Sequence, residues 1–261
     1  MVSLDCHALE LSIAGKAVVK GCSLRLMPGQ FWGMMGANGI GKTTLMRCLA
    51  GLIEPQSGHV ALGGTPILGL PRRAVARRLG MLQQHSVYVF GAGVLQTALT
   101  GRHPHLGRWE QEGPDALERA RRALSAVDLD SYEGRDVTRL SGGEARRLAF
   151  ASLLVQDPEV MLLDEPSNHL DLRYQVRIMS TIGDLVYGGE RLAIAAMHDV
   201  NLAACYCSHV LMLFGGGQWA AGPAADMLTS TNLQRLYQCP VEAIDTPSGP
   251  RFHPSFRDRS A

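Results

Sequence analysis

The 261 residues carry 25 basic and 24 acidic side chains, for a formal net charge of +1, with 46% hydrophobic and 19% charged residues. That composition suits one large domain, or a domain with a sizeable insertion, and gives no basic footprint for nucleic acid. No apolar run approaches the ~18–20 residues of a membrane span, and the start Met1-Val2-Ser3-Leu4-Asp5 lacks the basic-then-apolar pattern of a signal peptide, so the chain is expected to be soluble and intracellular. The six cysteines (Cys6, Cys22, Cys48, Cys205, Cys207, Cys239) have no Cys-x-x-Cys or metal-finger spacing, and the histidines no His-Glu-x-x-His. Reduced thiols are expected.

In chain order, Leu9–Ile13 and Ser23–Leu26 have strand period about turn signals at Ala14-Gly15-Lys16 and Pro28-Gly29, which predicts an antiparallel start. An apolar run, Phe31 to Met35, predicts a strand, and Leu45–Ala50 a helix stopped at Gly51. His59–Leu62 is a short strand, Pro71–Arg78 a helix whose Arg72, Arg73, Arg77 and Arg78 are expected to form a solvated face, and Leu79–Leu82 a strand ending in Gln83-Gln84. From His85 to Thr138 strand periodicity disappears and Asp115–Val127 is an amphipathic helix. Helices follow at Ser141–Leu154, Arg173–Val186 and Val200–Tyr206, interleaved with strands at Val160–Leu163, Leu192–Ala196 and Val210–Leu213. Strands alternating with helices predict an α/β core with a parallel sheet, into which the helical stretch is inserted. Gly215-Gly216-Gly217 turns a hairpin, short helices occupy Ala224–Leu228 and Leu233–Tyr237, and the proline-rich tail is expected to lack order beyond Pro250.

Between the Phe31–Met35 strand and the Leu45 helix lies Gly36-Ala37-Asn38-Gly39-Ile40-Gly41-Lys42-Thr43-Thr44, which fits Gly-x-x-x-x-Gly-Lys-[Ser/Thr], the Walker A phosphate loop. Polyphosphate needs many donors at short range. Glycines let backbone N–H groups curl around it, a helix N-terminus adds about half a positive charge, Lys42 reaches the β- and γ-phosphates, and the Thr43 hydroxyl can ligate Mg²⁺. The run Val160–Leu163 followed by Asp164-Glu165 delivers two acids to the carboxyl edge of a parallel sheet, where Asp164 can hold Mg²⁺ through water and Glu165 can polarise an attacking water. Ser141 and Glu144 have the spacing of a capping box, but the intervening Gly142-Gly143 exceed what capping needs and suit the approach of an anion to bare backbone donors.

Leu140-Ser141-Gly142-Gly143-Glu144, between the Walker A and Asp164-Glu165 segments, resembles the signature sequence of ATP-binding cassette (ABC) transporter ATPases, and the three motifs follow that family's order and spacing. Gln84 falls at the family's Q-loop glutamine, with Gln83 a one-residue alternative; Ser167-Asn168-His169-Leu170-Asp171 resembles the D-loop, and His198 the switch histidine. The likeness spans roughly residues 8–240. It implies a P-loop NTPase fold of the ABC-ATPase kind: an antiparallel β subdomain, a mostly parallel core sheet and an inserted α-helical subdomain at about 85–157, the whole occupying 1–240 with a short extension at 241–261.

By the same resemblance, ATP with Mg²⁺ is the ligand, Thr43, Gln84 and Asp164 reach the metal, and Glu165 and His198 are catalytic. Nucleotide contacts are expected from Gly36–Thr44, Gln84, Ser141, Gly142, Gly143, Glu144 and Asp171, the signature acting across a homodimer to complete an anion hole. Gln84-His85, Gly101–Trp109 (with Arg108) and Leu170–Gln175 look like ATPases of type II importers for iron–siderophore, haem and cobalamin. That implies two integral-membrane permease subunits, an indirect periplasmic binding protein and a peripheral place on the cytoplasmic face of the bacterial inner membrane; an exporter ATPase, or a soluble non-transport member, is the alternative. Two positions depart from the family: Ile13 stands where an adenine-stacking aromatic is usual, and Ala145 where a polar or basic residue follows the signature.

Overall fold

The computed structural model describes residues 2–255 other than 85, 108, 109, 111, 169 and 248. His85, Arg108, Trp109 and His169, quoted above for their likeness, lie outside the described residues.

β1 (Leu4–Ile13) and β2 (Lys16–Leu26) pair antiparallel around the Ala14-Gly15 turn, and β1 also takes β4 (Ser57–Leu62) on its other edge. With β5 (Thr65–Pro66) they make a four-stranded sheet ordered β2-β1-β4-β5. Its apolar face, including Leu4, Leu9, Val19 and Leu26, closes over the α1 helix (Lys42–Leu49) through Leu45 and Leu49.

The second sheet has six strands, β3 (Phe31–Gly36), β6 (Leu79–Leu82), β7 (Val160–Asp164), β8 (Leu192–Ala196), β9 (His209–Gly215) and β10 (Gln218–Pro223). Their order is β10-β9-β3-β8-β7-β6, parallel except for the β9–β10 hairpin. Successive residues of the central strands enter opposite cores. Phe31, Met35, Met161, Leu163 and Ala195 face the helices; Trp32, Met34, Val160, Leu162 and Ile194 face α1 and the antiparallel sheet. Burial on both faces is why these strands read as unbroken apolar runs. Each large side chain so buried contributes roughly 1.5–3 kcal/mol.

Between β6 and β7 the chain forms α3 (Val94–Leu99), α4 (Pro114–Ala126) and α5 (Gly142–Gln156), which pack on one another. α3 is a single short apolar turn and left no periodic trace. The arginines of α2 (Arg72–Arg78) form the expected solvated face, with Arg72, Arg73 and Arg77 exposed and Arg78 half-buried, and they also tie the helix to its neighbours. Arg72 donates to the Gly51 carbonyl, Arg73 and Arg77 both donate to the Pro104 carbonyl (2.9 and 2.8 Å), and Arg78 pairs with Glu159 at 3.4 Å. These acceptors lie across the fold, where periodicity cannot see them.

α6 (Leu172–Tyr187), α7 (Val200–Tyr206), α8 (Ala224–Met227) and α9 (Ser230–Tyr237) complete the helices. The tail is a correction. Instead of losing order past Pro250, it returns as β12 (Arg251–Pro254) paired antiparallel with β11 (Val241–Ile244). Phe252 is buried, and its N–H and C=O are both held by the Asn201 side chain on α7, at 2.8 and 3.0 Å. Among the described residues no helix is long and apolar enough to cross a membrane.

Candidate functional site

Four neighbouring parallel strands, β3, β8, β7 and β6 in spatial order, end along one edge of the large sheet. The residues that follow them are, in the same order, the Gly36–Thr44 loop, His198, Asp164-Glu165 and Gln83-Gln84. Segments distant in sequence are thereby set side by side at the carboxyl edge, where open α/β sheets bind ligands.

The loop turns into α1 at Gly41, whose φ of 110° lies in the left-handed region. No side chain caps the helix, so its first-turn N–H groups stay available to an anion. A Cβ on Gly41 would sit 2.5 Å from a Val18 methyl, so the motif's last glycine is also required by packing against β2. The Lys42 ammonium is buried and donates to the Gly36 and Ala37 carbonyls at 2.7 and 3.2 Å. Burial lowers its pKa, against the pull of Glu165 and Asp164.

A cleft of about 500 Å³ opens over the loop. Asn38, Gly39, Gly41, Lys42, Thr43 and Thr44 line it with Gln84, Glu165 and His198; Ile13 and Asn168 complete the wall. Gly36, Ala37 and Ile40 brace the loop, the Ile40 N–H donating to the Ala37 carbonyl at 3.3 Å. Gln84 faces both this cleft and a recess containing Thr43 and Asp164, whereas Gln83 lines only the recess. Of the two glutamines, Gln84 is the one that touches Glu165.

Glu165 adopts φ 53°, an uncommon value for a non-glycine residue that aims its side chain back over the loop. Three donors converge on its carboxylate: Gln84 Nε2 at 2.9 Å, His198 Nε2 at 2.7 Å, and Asn168 Nδ2. Burial pushes its pKa up, but the His198 and Gln84 hydrogen bonds and the nearby charges outweigh it and hold the carboxyl below its usual value. Next to it Asp164 is 1% exposed, and among the described residues neither carboxylate oxygen has a partner of full hydrogen-bond geometry. Burial raises its pKa, partly offset by the adjoining Thr43 hydroxyl and by Arg146 and Lys42. A buried carboxylate with unfilled lone pairs beside a threonine hydroxyl is a donor set suited to a hard divalent cation.

Ser141, Gly142, Gly143, Glu144 and Asp171 do not line the cleft. Ser141 caps α5: its Oγ accepts from the Glu144 N–H at 3.3 Å while Glu144 accepts from the Ser141 N–H at 2.7 Å. The Ser141 N–H holds the Glu144 carboxyl below its usual value. Capping uses Ser141 Oγ as an acceptor, and its hydroxyl also helps to hold the Glu144 carboxylate. Asp171 caps α6, accepting from the Tyr174 N–H at 3.0 Å.

Sequence reasoning missed two residues. Asn168 was visible only as part of a motif, and its contact with Glu165 needs the turn after β7. Arg146 left no signal beyond an arginine on a helix, yet it is 5% exposed and donates to four main-chain carbonyls around the site.

Comparison with known proteins agrees with this geometry. A family model described as ABC transporter matches residues 19–168. The chain belongs to the ABC transporter family. It is an ATP-binding subunit of that family, whose members hydrolyse ATP coupled to transport. The cobalamin import ATP-binding protein BtuD of Halobacterium salinarum is 33% identical over 247 residues, which are 95% of this chain. The chain spans 62% of the length of that relative. The hemin import ATP-binding protein HmuV of Bordetella avium is 33% identical over 253 residues, 94% of this chain and 96% of HmuV. A solved chain described as belonging to a metal-chelate type ABC transporter in an inward-facing conformation shares the fold, with a TM-score of 0.84 over 98% of this chain and 99% of that one, at 23% identity.

Proposed function

We propose that the chain is the ATP-hydrolysing subunit of an importer for a metal chelate (haem, cobalamin or an iron–siderophore), working as a homodimer beneath two integral-membrane permease subunits at the cytoplasmic face of the bacterial inner membrane. A periplasmic binding protein would deliver the cargo. The observation that carries the catalytic reading is Glu165, aimed at the phosphate loop by a left-handed turn and held by His198, Gln84 and Asn168. Import and cargo class are supported by the relatives named for hemin and cobalamin import.

On this reading the Gly36–Thr44 amides and Lys42 bind the ATP phosphates. Mg²⁺ arriving with ATP would be held by Thr43, Asp164 and Gln84 and would neutralise charge on the β- and γ-phosphates. Glu165, its carboxyl kept ionised, accepts the proton of the attacking water, and His198, already bonded to it, orients that carboxylate toward the γ-phosphate. Ile13 occupies the adenine end of the cleft with an aliphatic surface, so base stacking is weak. Ser141, Gly142, Gly143 and Glu144 of a second subunit close over the γ-phosphate, with Asp171 near the same junction. A permease partner is supported by Val87, Val89 and Phe90, which are 79%, 74% and 87% exposed just beyond Gln84.

The test is Glu165→Gln with ATP and Mg²⁺. Turnover is expected to fall by ~10²–10⁴, and the variant to elute as a nucleotide-bound dimer on a sizing column. A variant that stays monomeric and hydrolyses at the parental rate would sink the assignment. Cargo is tested by uptake of haem, ferric siderophore and cobalamin in a strain lacking the chain.

A further inference from the structure

The β6–β7 ladder ends at the pair Leu82 and Leu163. Immediately beyond it the two strands stop pairing with each other: one passes into Gln83-Gln84, and the other, still paired to β8 through Asp164 and Ala196, passes into Glu165 with its left-handed turn. Arg146, in the second turn of α5, fills that gap. Its Nη1 donates to the Gln83 and Gln84 carbonyls (2.7 Å to the latter), and its Nη2 donates to the Asp164 and Glu165 carbonyls (2.7 Å to the latter). A buried cation is costly unless paired or hydrogen-bonded, and here its compensation comes from the nearby Asp164 and Glu165 carboxylates and from carbonyl dipoles of two separate loops. Only a planar fork can span both; an ammonium is a point donor on a flexible stem.

We propose that Arg146 is a positioning residue for hydrolysis: it fixes the main chain of Gln84 and Glu165 relative to each other and locks both to α5. The proposal rests on the reading of Glu165 as the base. Because Ser141 heads the same helix, any contact that displaces the Ser141 end of α5 is transmitted through Arg146 to this chain's own Gln84 and Glu165. The helix therefore serves two sites, its first residues the partner's nucleotide and its second turn the water-activating group of its own subunit. The neighbouring Arg147 makes a useful contrast. It is equally buried on α5, but its guanidinium binds the Val127 and Asp128 carbonyls at 2.6 and 3.0 Å and stacks on Tyr174, away from the cleft.

The experiment measures kcat, KM, ATP dissociation without Mg²⁺ (by a fluorescent ATP analogue) and thermal melting for Arg146→Gln, Arg146→Lys and Arg147→Met. Both Arg146 variants are expected to lose about tenfold or more in kcat, with the ATP dissociation constant changed by less than about threefold. Arg147→Met is expected to melt earlier yet keep its kcat per folded molecule. A parental kcat in Arg146→Lys overturns the proposal, because charge alone would then suffice. Equal losses of kcat and melting temperature in Arg146→Gln and Arg147→Met also overturn it, as does failure of both Arg146 variants to fold, since each makes Arg146 a stability residue. Glu165→Gln, run alongside, separates the two readings: a parental rate there removes the base on which the proposal rests, whatever Arg146 does.

Discussion

Three described residues that line the cleft have left-handed backbone, Gly39 and Gly41 in the loop and Glu165 after β7. For Gly41 both conformation and space exclude a side chain, since φ is 110° and the Val18 methyl carbons lie 2.5 and 2.8 Å from a hypothetical Cβ. Gly41→Ala should cost ~1–3 kcal/mol in backbone strain, with the clash added. The expected outcome is a lower melting temperature together with loss of ATP binding by titration. A second change, Val18→Ala, should recover part of the melting loss but little of the binding, because it removes the clash and leaves the φ requirement. Full recovery of binding would mean that packing alone selects glycine here. The motif made Gly41 legible in the sequence, but the clash with β2 was invisible there because Gly41 lies twenty-three positions after Val18, across two strands. Thiol chemistry gives a further residue-scale outcome. Cys6, Cys22, Cys48 and Cys207 are buried, with burial pushing Cys48 up to about 11, whereas Cys205 and Cys239 are exposed. A maleimide at neutral pH should therefore label two thiols in the native chain and six after denaturation, read by mass spectrometry.

At the scale of elements, sequence pattern succeeded where structure is local. The β3–loop–α1 unit, the buried β7 and β8 strands and α4 all lie within a few residues of the expected ranges, because each is written in its own periodicity and stop signals. The α3 helix and the β11–β12 hairpin escaped for the opposite reason. Each is too short to hold its shape alone and depends on surfaces supplied from elsewhere in the chain. For the hairpin that surface is α7, through buried Phe252 and the paired Asn201 bonds. Asn201→Ala leaves the Phe252 N–H and C=O without partners and should cost about 1–3 kcal/mol. Amide exchange should accelerate at residues 251–254 while β7 and β8 stay protected. Unchanged exchange in the hairpin would show that Phe252 burial alone holds it.

At the scale of the whole molecule, the cleft gathers groups from four strand ends, yet Ser141 and Gly142-Gly143 stand outside its wall, Ser141 and Gly142 exposed and Gly143 half-buried. The proposed phosphate site has its loop, its carboxylates and its histidine in one chain, and its solvent side is open among the described residues. The proposed symmetric dimer would supply donors there twice, because in an isologous contact each chain gives the other the same patch. The consequence can be tested without seeing the dimer. A chain with Lys42→Ala keeps a sound signature but cannot bind phosphate; a chain with Ser141→Arg keeps a sound loop but cannot close over its partner. Each homodimer should be inactive. When the two are mixed in equal amounts, half the dimers are mixed, and each of these contains one intact site, Lys42 from one chain facing Ser141 from the other. Recovery on the order of a quarter of the parental turnover is expected if sites act independently, and less if both must fire together. Turnover by the Ser141→Arg protein alone would mean that one chain holds a complete site, and the dimer reading would fall.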